Sequence, residues 1–367
     1  MHASPTRSTT SSCAESGPIR AAHVGRSWMD ELVREVLAGE EAWFVGGSVR
    51  DELLGRRALD VDVVVRDPGA AARAYARSSG GFPFALSERH ASWRVVLGDG
   101  RTVDFTPVHG TIESDLARRD FTVNAIAVPV GRGEYVDPSG GREDLQLRLL
   151  RAVSETIFAD DPLRLLRAVR LEEELGFELA PLTEELLRSQ ASLVGNAAGE
   201  RVLAELEHLG PRGYRRLDQL GLLASLGGEL DDRLDAFDSP RYRLVTVFKD
   251  NVRRLPVSAE TRRYARVLLN AERPADGTAR SIHRFRRVTE PWALHALAFV
   301  GASELAPVVE DARAGDFDEP LVRGDELGLP PGPEVGRLLA QIAEERAVGT
   351  ISTRQEALDL VRRETTR

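Results

Sequence analysis

Cysteine and lysine are almost absent from this chain of 367 residues. Its only cysteine is Cys13, which excludes disulfide bonds within the chain and cysteine-ligated zinc, and we expect no disulfide-linked partner. Its only lysine is Lys249, so arginine supplies nearly all of the 49 basic side chains. Arginine suits bidentate contacts to phosphate and stacking on bases, but a compositional bias of the source genome accounts for it equally well.

Long apolar runs and an excess of positive charge are also missing. No run is long enough to cross a membrane, and residues 1–26 are rich in Ser, Thr and small residues without the apolar core of a signal peptide. We therefore predict a disordered tail over residues 1–26, a cytoplasmic protein and no membrane partner. The net charge of -9 does not indicate a general nucleic-acid binder, so any RNA-binding surface must be local.

The rest of the chain is organised around residues 43–65, which read WFVGGSVRDELLGRRALDVDVVV. The apolar beginning predicts a buried strand, and Gly46 and Gly47 allow a sharp turn before a helix over residues 48–54. Free backbone N–H groups at the start of that helix predict a phosphate-binding turn. A dinucleotide-binding GxGxxG loop is excluded because Gly46, Gly47 and Gly55 lack that spacing.

Two aspartates follow this turn in the apolar segment DVDVVV. Side chains alternate across a strand, so Asp60 and Asp62 share one face of it. Neighbouring carboxylates repel each other unless a cation lies between them, and a divalent ion with oxygen ligands, most simply Mg²⁺, fits that role. A DxD pair alone is more often a solvated strand edge, but its position after the glycine turn favours a metal site.

A predicted hairpin, residues 93–97 and 102–105 about a turn at 98–100, contains Asp104. On a strand beside DVDVVV, Asp104 would supply a third carboxylate. It could then act as general base on an attacking hydroxyl or bind a second ion. An ordinary aspartate at a strand end is an equal alternative when Asp104 is considered without the earlier pair.

The segment DLARRDFTVNAIAV, residues 115–128, places a charge cluster ahead of an apolar helix or strand. Arg118 and Arg119 could hold a triphosphate bidentately, and Asp120 or Asn124 could hydrogen-bond a ribose hydroxyl. A helix cap with a solvated charge cluster is the competing interpretation, and it would be favoured for this segment alone.

Beyond Asp144 the strand signals end, and the pattern predicts helices to the end of the chain. Pro162 suits the first turn of a helix capped by Asp160 or Asp161. In this helix Arg164, Arg167 and Arg170 recur every third residue along one side. A carboxylate and a guanidinium on one helical face could read the Watson–Crick edge of a base, although a salt-bridged helix surface is favoured on this segment alone.

Arginine-rich patches with interleaved aromatic residues occur in the remaining helices. They could track an RNA backbone, although scattered exposed arginines are commoner. The patches are residues 214–216, 241–243, 262–264 and 283–287.

Together these segments resemble the class II tRNA nucleotidyltransferase and bacterial poly(A) polymerase family, a branch of the polymerase-beta-like superfamily. The resemblance implies an α+β fold, with a small mixed β-sheet in a nucleotidyltransferase head followed by an all-α neck, body and tail. The expected boundaries are 27–146 for the head, 147–208 for the neck and 209–367 for a tRNA-binding body and tail. The motifs that carry it are GGSVRDELLG with DVD, RRDFTVNA, DPSGGREDL, DDPLRLLRAVR, GERVLAEL and the stretch 321–342.

The resemblance also implies roles for individual residues. Asp60 and Asp62 would hold the catalytic Mg²⁺, and Asp104 matches the third carboxylate of the family. The remaining matched residues would bind the nucleotide. The phosphates would be contacted by Gly46, Gly47, Arg50 and Arg119, the ribose by Asp120 and Asn124, and the base by Asp161 and Arg164 with Arg167 and Arg170 nearby.

The implied reaction is template-independent addition of C and A from CTP and ATP to the 3' end of tRNA, with release of pyrophosphate. Two departures from the family pattern bear on it. Asp160 replaces the glutamate of the family's Glu-Asp pair, and only TPVHGTIESDLA separates the third-carboxylate strand from RRDFT. In this family a shortened loop accompanies enzymes that add only CC. A CC-adding enzyme and a poly(A) polymerase are therefore the alternatives, with a non-catalytic RNA-binding homologue as a third.

Overall fold

A computed structural model describes residues 31–56, 60–131, 133–317 and 319–365. The chain divides into two compact units. The first unit contains the described residues up to Ile157 together with Phe177–Thr183, and the second contains Phe158–Gly176 and the described residues from Glu184 onward. The predicted tail and the first four residues of the predicted head, 27–30, lie outside the described residues.

Six strands of the first unit form one mixed sheet with the order β3-β4-β5-β2-β1-β6. Strands β2 and β5 are parallel, and the other neighbouring pairs are antiparallel. This arrangement confirms the predicted small mixed sheet. The strands are β1 (Ala42–Val45), β2 (Asp60–Val65), β3 (Phe82–Ser87), β4 (Ser92–Val96), β5 (Thr102–Pro107) and β6 (Ala127–Pro129), and a separate pair consists of β7 (Leu149–Leu150) and β8 (Glu178–Leu179).

Helices flank this sheet and make up nearly all of the second unit, as predicted. Among the described residues, no helix is both long enough and apolar enough to span a bilayer. The helices are α1 (Glu31–Val36), α2 (Gly47–Leu53), α3 (Pro68–Ser79), α4 (Ile112–Leu116), α5 (Gly141–Leu147), α6 (Ile157–Asp160), α7 (Arg164–Leu175), α8 (Pro181–Gln190), α9 (Gly199–His208), α10 (Pro211–Gln219), α11 (Leu222–Ser225), α12 (Pro240–Phe248), α13 (Ala259–Leu269), α14 (Ala279–Thr289), α15 (Ala293–Phe299), α16 (Ala306–Ala314), α17 (Pro333–Ala347) and α18 (Arg354–Thr365).

The two faces of the sheet have different roles. On one face the apolar residues of β2 and β5 pack against α3, where the rings of Tyr75 and Phe105 lie 5.8 Å apart. On the other face Val64 belongs to a buried cluster with Val45 and Leu116. Because Asp60 and Asp62 alternate with the buried valines of β2, the carboxylates share the face of Val64.

The prediction that strands end before Asp144 was wrong. Strands β7 and β8 pair in parallel, and the N–H groups of Glu178 and Ala180 donate to the carbonyls of Arg148 and Leu150 at 3.0 and 2.9 Å. Two-residue strands are too short to show a periodic pattern, so the sequence carries no signal for them.

The aromatic residues of the arginine-rich patches do not form an exposed stacking surface. Tyr214, Tyr242 and Tyr264 are fully buried, while neighbouring arginines pair with acids, such as Arg216 with Glu172 at 2.8 Å. The patches therefore contain buried rings beside arginines, several of which form ion pairs, and contact of these arginines with an RNA backbone stays a prediction.

Ion pairs also join α14 to α17. Arg280 and Arg284 both contact Glu344, at 2.5 and 2.7 Å. The hydrogen bond from Arg284, followed by that from Arg280, outweighs the effect of burial and lowers the pKa of Glu344 to about 2.

Candidate active site

Gly46 is the pivot of the turn between β1 and α2. Its φ of 74° and ψ of -145° belong to a region that is essentially restricted to glycine. A Cβ at this position would lie 3.0 Å from Oδ2 of Asp62 and 3.0 Å from Nη1 of Arg119. The glycine turn, one aspartate of DVD and one arginine of RRDFT therefore meet at a single point.

Asp60 and Asp62 lie on the same face of β2, as the alternation predicted. Asp60 is exposed and its Oδ1 accepts a 2.6 Å hydrogen bond from the hydroxyl of Thr102. Asp62 is half-buried, and its carboxylate lies against the glycine turn. The pair thus spans the distance from the exposed end of β2 to the start of α2.

Asp104 lies directly beside Asp62 across the parallel strands β2 and β5. Its two oxygens accept hydrogen bonds of 2.7 Å from Nε and Nη2 of Arg94, the residue opposite it on β4. The hydrogen bonds to Asp104 raise the pKa of Arg94 against the effect of burial, and the charges of Asp104, Asp60 and Asp62 add to the shift. Arg94 therefore forms a two-point ion pair with Asp104, the third carboxylate, and neutralises part of the negative charge of the three aspartates.

A buried polar network lies behind the glycine turn. Arg50 is 5% exposed, and its guanidinium donates to Asn124 at 2.8 Å and to Asp51 at 2.9 Å. The amide of Asn124 in turn donates to Oδ1 of Asp120 at 2.9 Å, and this oxygen also accepts the N–H of Phe121. Three of the predicted nucleotide contacts are thus brought together, but their visible hydrogen bonds are to protein groups.

Arg119 has spare hydrogen-bonding capacity beside the turn. Its Nη2 contacts Asp115 one helical turn earlier at 3.3 Å. Its buried Nε has no hydrogen-bond partner within the described parts of the chain. A half-buried guanidinium with an unused donor next to a helix N-terminus suits an anionic ligand.

The segment between β5 and RRDFT is short and folded. Helix α4 is held by a capping box in which Thr111 and Ser114 exchange side-chain and backbone hydrogen bonds. Ile112 and Leu116 anchor the helix in the core. The connection is therefore a packed helical turn instead of a long loop.

Of the two predicted caps of the helix that contains Arg164, Asp161 accepts an N–H group at its start, while Asp160 belongs to the preceding helix. Helix α7 begins at Arg164 after Leu163, which makes no side-chain cap, and Asp160 ends the preceding helix α6. Asp161 accepts the N–H of Leu163 at 3.2 Å and two hydrogen bonds from Arg201 of α9, at 3.2 and 2.8 Å. Burial acts to raise the pKa of Asp161, but Arg201 outweighs it, and the pKa lies below its ordinary value.

The three arginines of α7 lie along one half-exposed side of the helix, as their spacing predicted. Arg170 is engaged with Glu205 at 2.6 Å and with Glu174 at 2.7 Å. For Arg170 the structure therefore agrees with the salt-bridged surface that was the alternative interpretation.

Comparison with known proteins decides the family. The chain matches the model of the poly A polymerase head domain over residues 42–108 and 89–151. It is 33% identical to the A-adding tRNA nucleotidyltransferase of Deinococcus radiodurans in an alignment that covers 88% of this chain and 95% of that protein. The chain belongs to the tRNA nucleotidyltransferase family.

Other relatives agree with this membership of the tRNA nucleotidyltransferase family. The CC-adding tRNA nucleotidyltransferase of Thermus thermophilus is 33% identical, with 87% of this chain and 92% of that protein covered. A solved structure of the Thermotoga maritima CCA-adding enzyme complexed with tRNA has a TM-score of 0.72 at 22% identity, covering 91% of this chain and 95% of that chain. At this identity the structural likeness concerns the fold, and it confirms the predicted architecture.

The donor set of this nucleotidyltransferase fits a divalent metal ion. Asp60 and Asp62 offer carboxylate oxygens on one face, and Asp62 adjoins the glycine turn. In the described part of the chain, no group of three acidic, histidine or cysteine residues is gathered as a metal site. Two carboxylates with the other ligands left to water and phosphate oxygens are the arrangement that Mg²⁺ commonly uses.

Sequence reasoning missed one partner of a predicted site residue in each unit, Arg94 beside Asp104 and Arg201 beside Asp161. Arg94 was detectable, because the predicted turn centred on residue 99 pairs positions 94 and 104 of the hairpin. Arg201 lies in the quoted motif GERVLAEL, but its pairing with Asp161 joins residues 40 positions apart. No local pattern reports such a contact.

Proposed function

We propose that this nucleotidyltransferase adds C and A nucleotides from CTP and ATP to the 3' end of tRNA and releases pyrophosphate. The observation that carries the proposal is the convergence of Asp62, Arg119 and the start of α2 at Gly46. A carboxylate, a guanidinium and free backbone N–H groups at one point suit a metal-bound triphosphate.

Asp60 and Asp62 are proposed to hold a Mg²⁺ ion. When bound, the ion would neutralise charge on the reacting phosphate and on the pyrophosphate that leaves. Asp104 is proposed either to accept the proton of the RNA 3'-hydroxyl or to bind an ion. In both cases it must first exchange its hydrogen bonds from Arg94.

The chain's own groups would bind and orient the nucleotide. Gly47 and the other N–H groups at the start of α2, with Arg119, are proposed to contact the phosphates. Arg50 would support this contact, and Asp120 and Asn124 would contact the ribose. Because these three residues already bond to one another, each contact with nucleotide would replace an internal hydrogen bond.

Base selection is proposed for the start of α7. Asp161 offers acceptors and Arg164 offers donors to the edge of C or A, with Arg167 and Arg170 nearby. Arg201 holds Asp161 ionised and oriented. Arg164→Ala should therefore blur the preference among the four NTPs more than it slows addition of CTP, measured as kcat/KM for each NTP. Unchanged selectivity would remove the base-reading role.

The direct test is incorporation of labelled CTP and ATP into a tRNA transcript that lacks its last three nucleotides. Asp60→Ala with Asp62→Ala should lower the rate by at least about 10³-fold, because an ion that contributes several kcal/mol is lost. Binding of tRNA should stay within about twofold. Asp99→Ala removes an exposed carboxylate from the β4–β5 turn and serves as the control. Normal incorporation by the double variant would refute the metal assignment.

A CC-adding enzyme is the second candidate, and the short, capped connection through α4 favours it. Transcripts ending before the first C, and after the second C, separate the activities when each is given CTP, ATP or both. Two C additions without A identify a CC-adding enzyme, and addition of A alone identifies an A-adding one. Long A tails on unrelated RNA identify a poly(A) polymerase, and tRNA binding without incorporation identifies a non-catalytic homologue.

A further inference from the structure

Two large aromatic rings are exposed on β3, which forms one edge of the six-stranded sheet. Phe82 is 71% exposed and Phe84 is 37% exposed. They occupy alternate positions of the strand, so both rings lie on one face. Adjacent exposed aromatic side chains of this size usually mark an interaction site.

The strand register places these rings on the same face as the carboxylates. Phe84 pairs with Arg94, Arg94 pairs with Asp104, and Asp104 pairs with Asp62. Cross-strand partners point to the same side of a sheet, so this row runs straight from an exposed ring to the proposed active site. A parallel row connects Phe82 with Asp60 through Val96 and Thr102.

The length of these rows limits what the rings can contact. Three strand spacings of about 4.8 Å separate β3 from β2, which gives about 14 Å. A stacked nucleic-acid strand advances about 3.4 Å per nucleotide. A chain whose 3' end lies at Asp60 and Asp62 would therefore reach Phe84 within about four nucleotides.

We propose that Phe82 and Phe84 form a stacking platform for the unpaired bases that precede the 3' end of the RNA substrate. The proposal rests on the proposed function for the position of the 3'-hydroxyl. Aromatic rings stack on any base, which suits nucleotides that must shift as the RNA end grows. Arg94 lies between the platform and Asp104, so an RNA strand that runs from the rings to the carboxylates would pass a cationic side chain.

The same strand disfavours a second copy of the chain as the occupant. Pro83 lies between the two rings and has no backbone N–H to donate to an added strand. The register of β3 with β4 also shifts between Ala85 and Ser87, and such a bulge interrupts regular edge pairing. The exposed rings are therefore better suited to a stacked ligand than to strand addition.

The test measures RNA binding and catalysis separately. A tRNA that lacks only its terminal A carries 2-aminopurine at each of its three unpaired 3' positions in turn, and the kinetic measurements use the transcript that lacks its last three nucleotides. Wild-type protein should quench at least one of these probes, and Phe82→Ala with Phe84→Ala should abolish the quenching. The double variant should also weaken RNA binding and raise the KM for RNA by about tenfold or more, with kcat and the KM for CTP within about twofold.

Matched variants identify the kind of contact. Phe84→Trp should retain quenching and RNA affinity, whereas Phe84→Leu keeps an apolar group but should lose quenching. Leu147→Ala removes another exposed apolar side chain of the first unit, 58% exposed, and should leave all readings unchanged. Equal quenching and equal RNA affinity in Phe84→Leu and Phe84→Trp would overturn base stacking.

Failure of the platform and failure of the proposed function give different results. Wild-type protein that binds and quenches the RNA without incorporating nucleotides would refute the function and still support the platform. RNA affinity within twofold of wild type in the double alanine variant would overturn the platform, whatever the incorporation rate. A dimer that light scattering detects for wild type and not for the double variant would overturn it as well, since the rings would then join two copies.

Discussion

Substitution of Gly46 by alanine tests whether the glycine turn sets the position of the active-site groups. The backbone at Gly46 has φ 74° and ψ -145°, and holding a non-glycine residue in such a region costs about 1–3 kcal/mol. For a unit of this size, a cost of about 2 kcal/mol lowers Tm by about 4–8 °C. Gly46→Ala should therefore melt several degrees below wild type.

The effect on catalysis should exceed the effect on folding. The new Cβ would approach the carboxylate of Asp62 and the guanidinium of Arg119 to 3.0 Å, so both must move by a few tenths of an ångström. Displacement of reacting groups by 1 Å can cost about 10²-fold in rate, so this shift should lower kcat/KM for CTP by about three- to tenfold. The assay is steady-state incorporation at a temperature well below both melting points.

Gly100→Ala is the matched control, because Gly100 also has a positive φ, of +85°, but a Cβ there meets no atom within 4 Å. It should lower Tm by a few degrees and leave kcat/KM within twofold. If the two variants lose the same activity, or if Gly46→Ala melts low but reacts at the wild-type rate, the turn does not position Asp62 and Arg119.

Three further predictions concern ion pairs. Arg94→Gln should cost about 1–2 kcal/mol because it leaves Asp104 half-buried without its partner, and adding Asp104→Asn should restore Tm in thermal melts. Glu344→Gln should lower the free energy of unfolding above pH 4.5, because the pKa of Glu344 lies near 2 and its ionised form stabilises the folded state. This stabilisation is lost as the pH falls towards 2. Thermal melts between pH 6 and pH 2.5 should therefore show that the Tm difference from wild type shrinks in acid. Arg201→Ala should raise the pKa of Asp161. If activity needs this carboxylate ionised, the acidic limb of the pH profile of kcat/KM for CTP should then move to higher pH. An acidic limb at the wild-type position would contradict the pairing.

Local patterns predicted most of the first unit. Alternation in DVDVVV placed Asp60 and Asp62 on one face, and the turn at residues 98–100 paired the strands that carry Arg94 and Asp104. Both features depend on contacts between residues close in sequence. The same register places Arg94 opposite Asp104, so the ion pair between them also follows from residues close in sequence.

Contacts between distant residues could not be predicted in this way. The pairing of Asp161 with Arg201 and the pairing of β7 with β8 each join segments separated by about 30–40 residues. They depend on the path of the intervening helices and loops, and no periodic pattern in the sequence encodes that path. The burial of the tyrosines in the arginine-rich patches has a different origin. Adjacent positions of a helix point about 100° apart, so a ring beside an exposed arginine, such as Tyr264 beside Arg263, can face the core.

The pairing of β7 with β8 affects how the gene can be divided. The first unit includes Phe177–Thr183, which follows α7 of the second unit in the sequence. An expression fragment that stops at Ile157 would leave Leu150, fully buried in the intact chain, at an unpaired strand edge. Independent production of the first unit therefore requires a fragment that also includes β8, because a fragment that ends at Ile157 would be prone to aggregation.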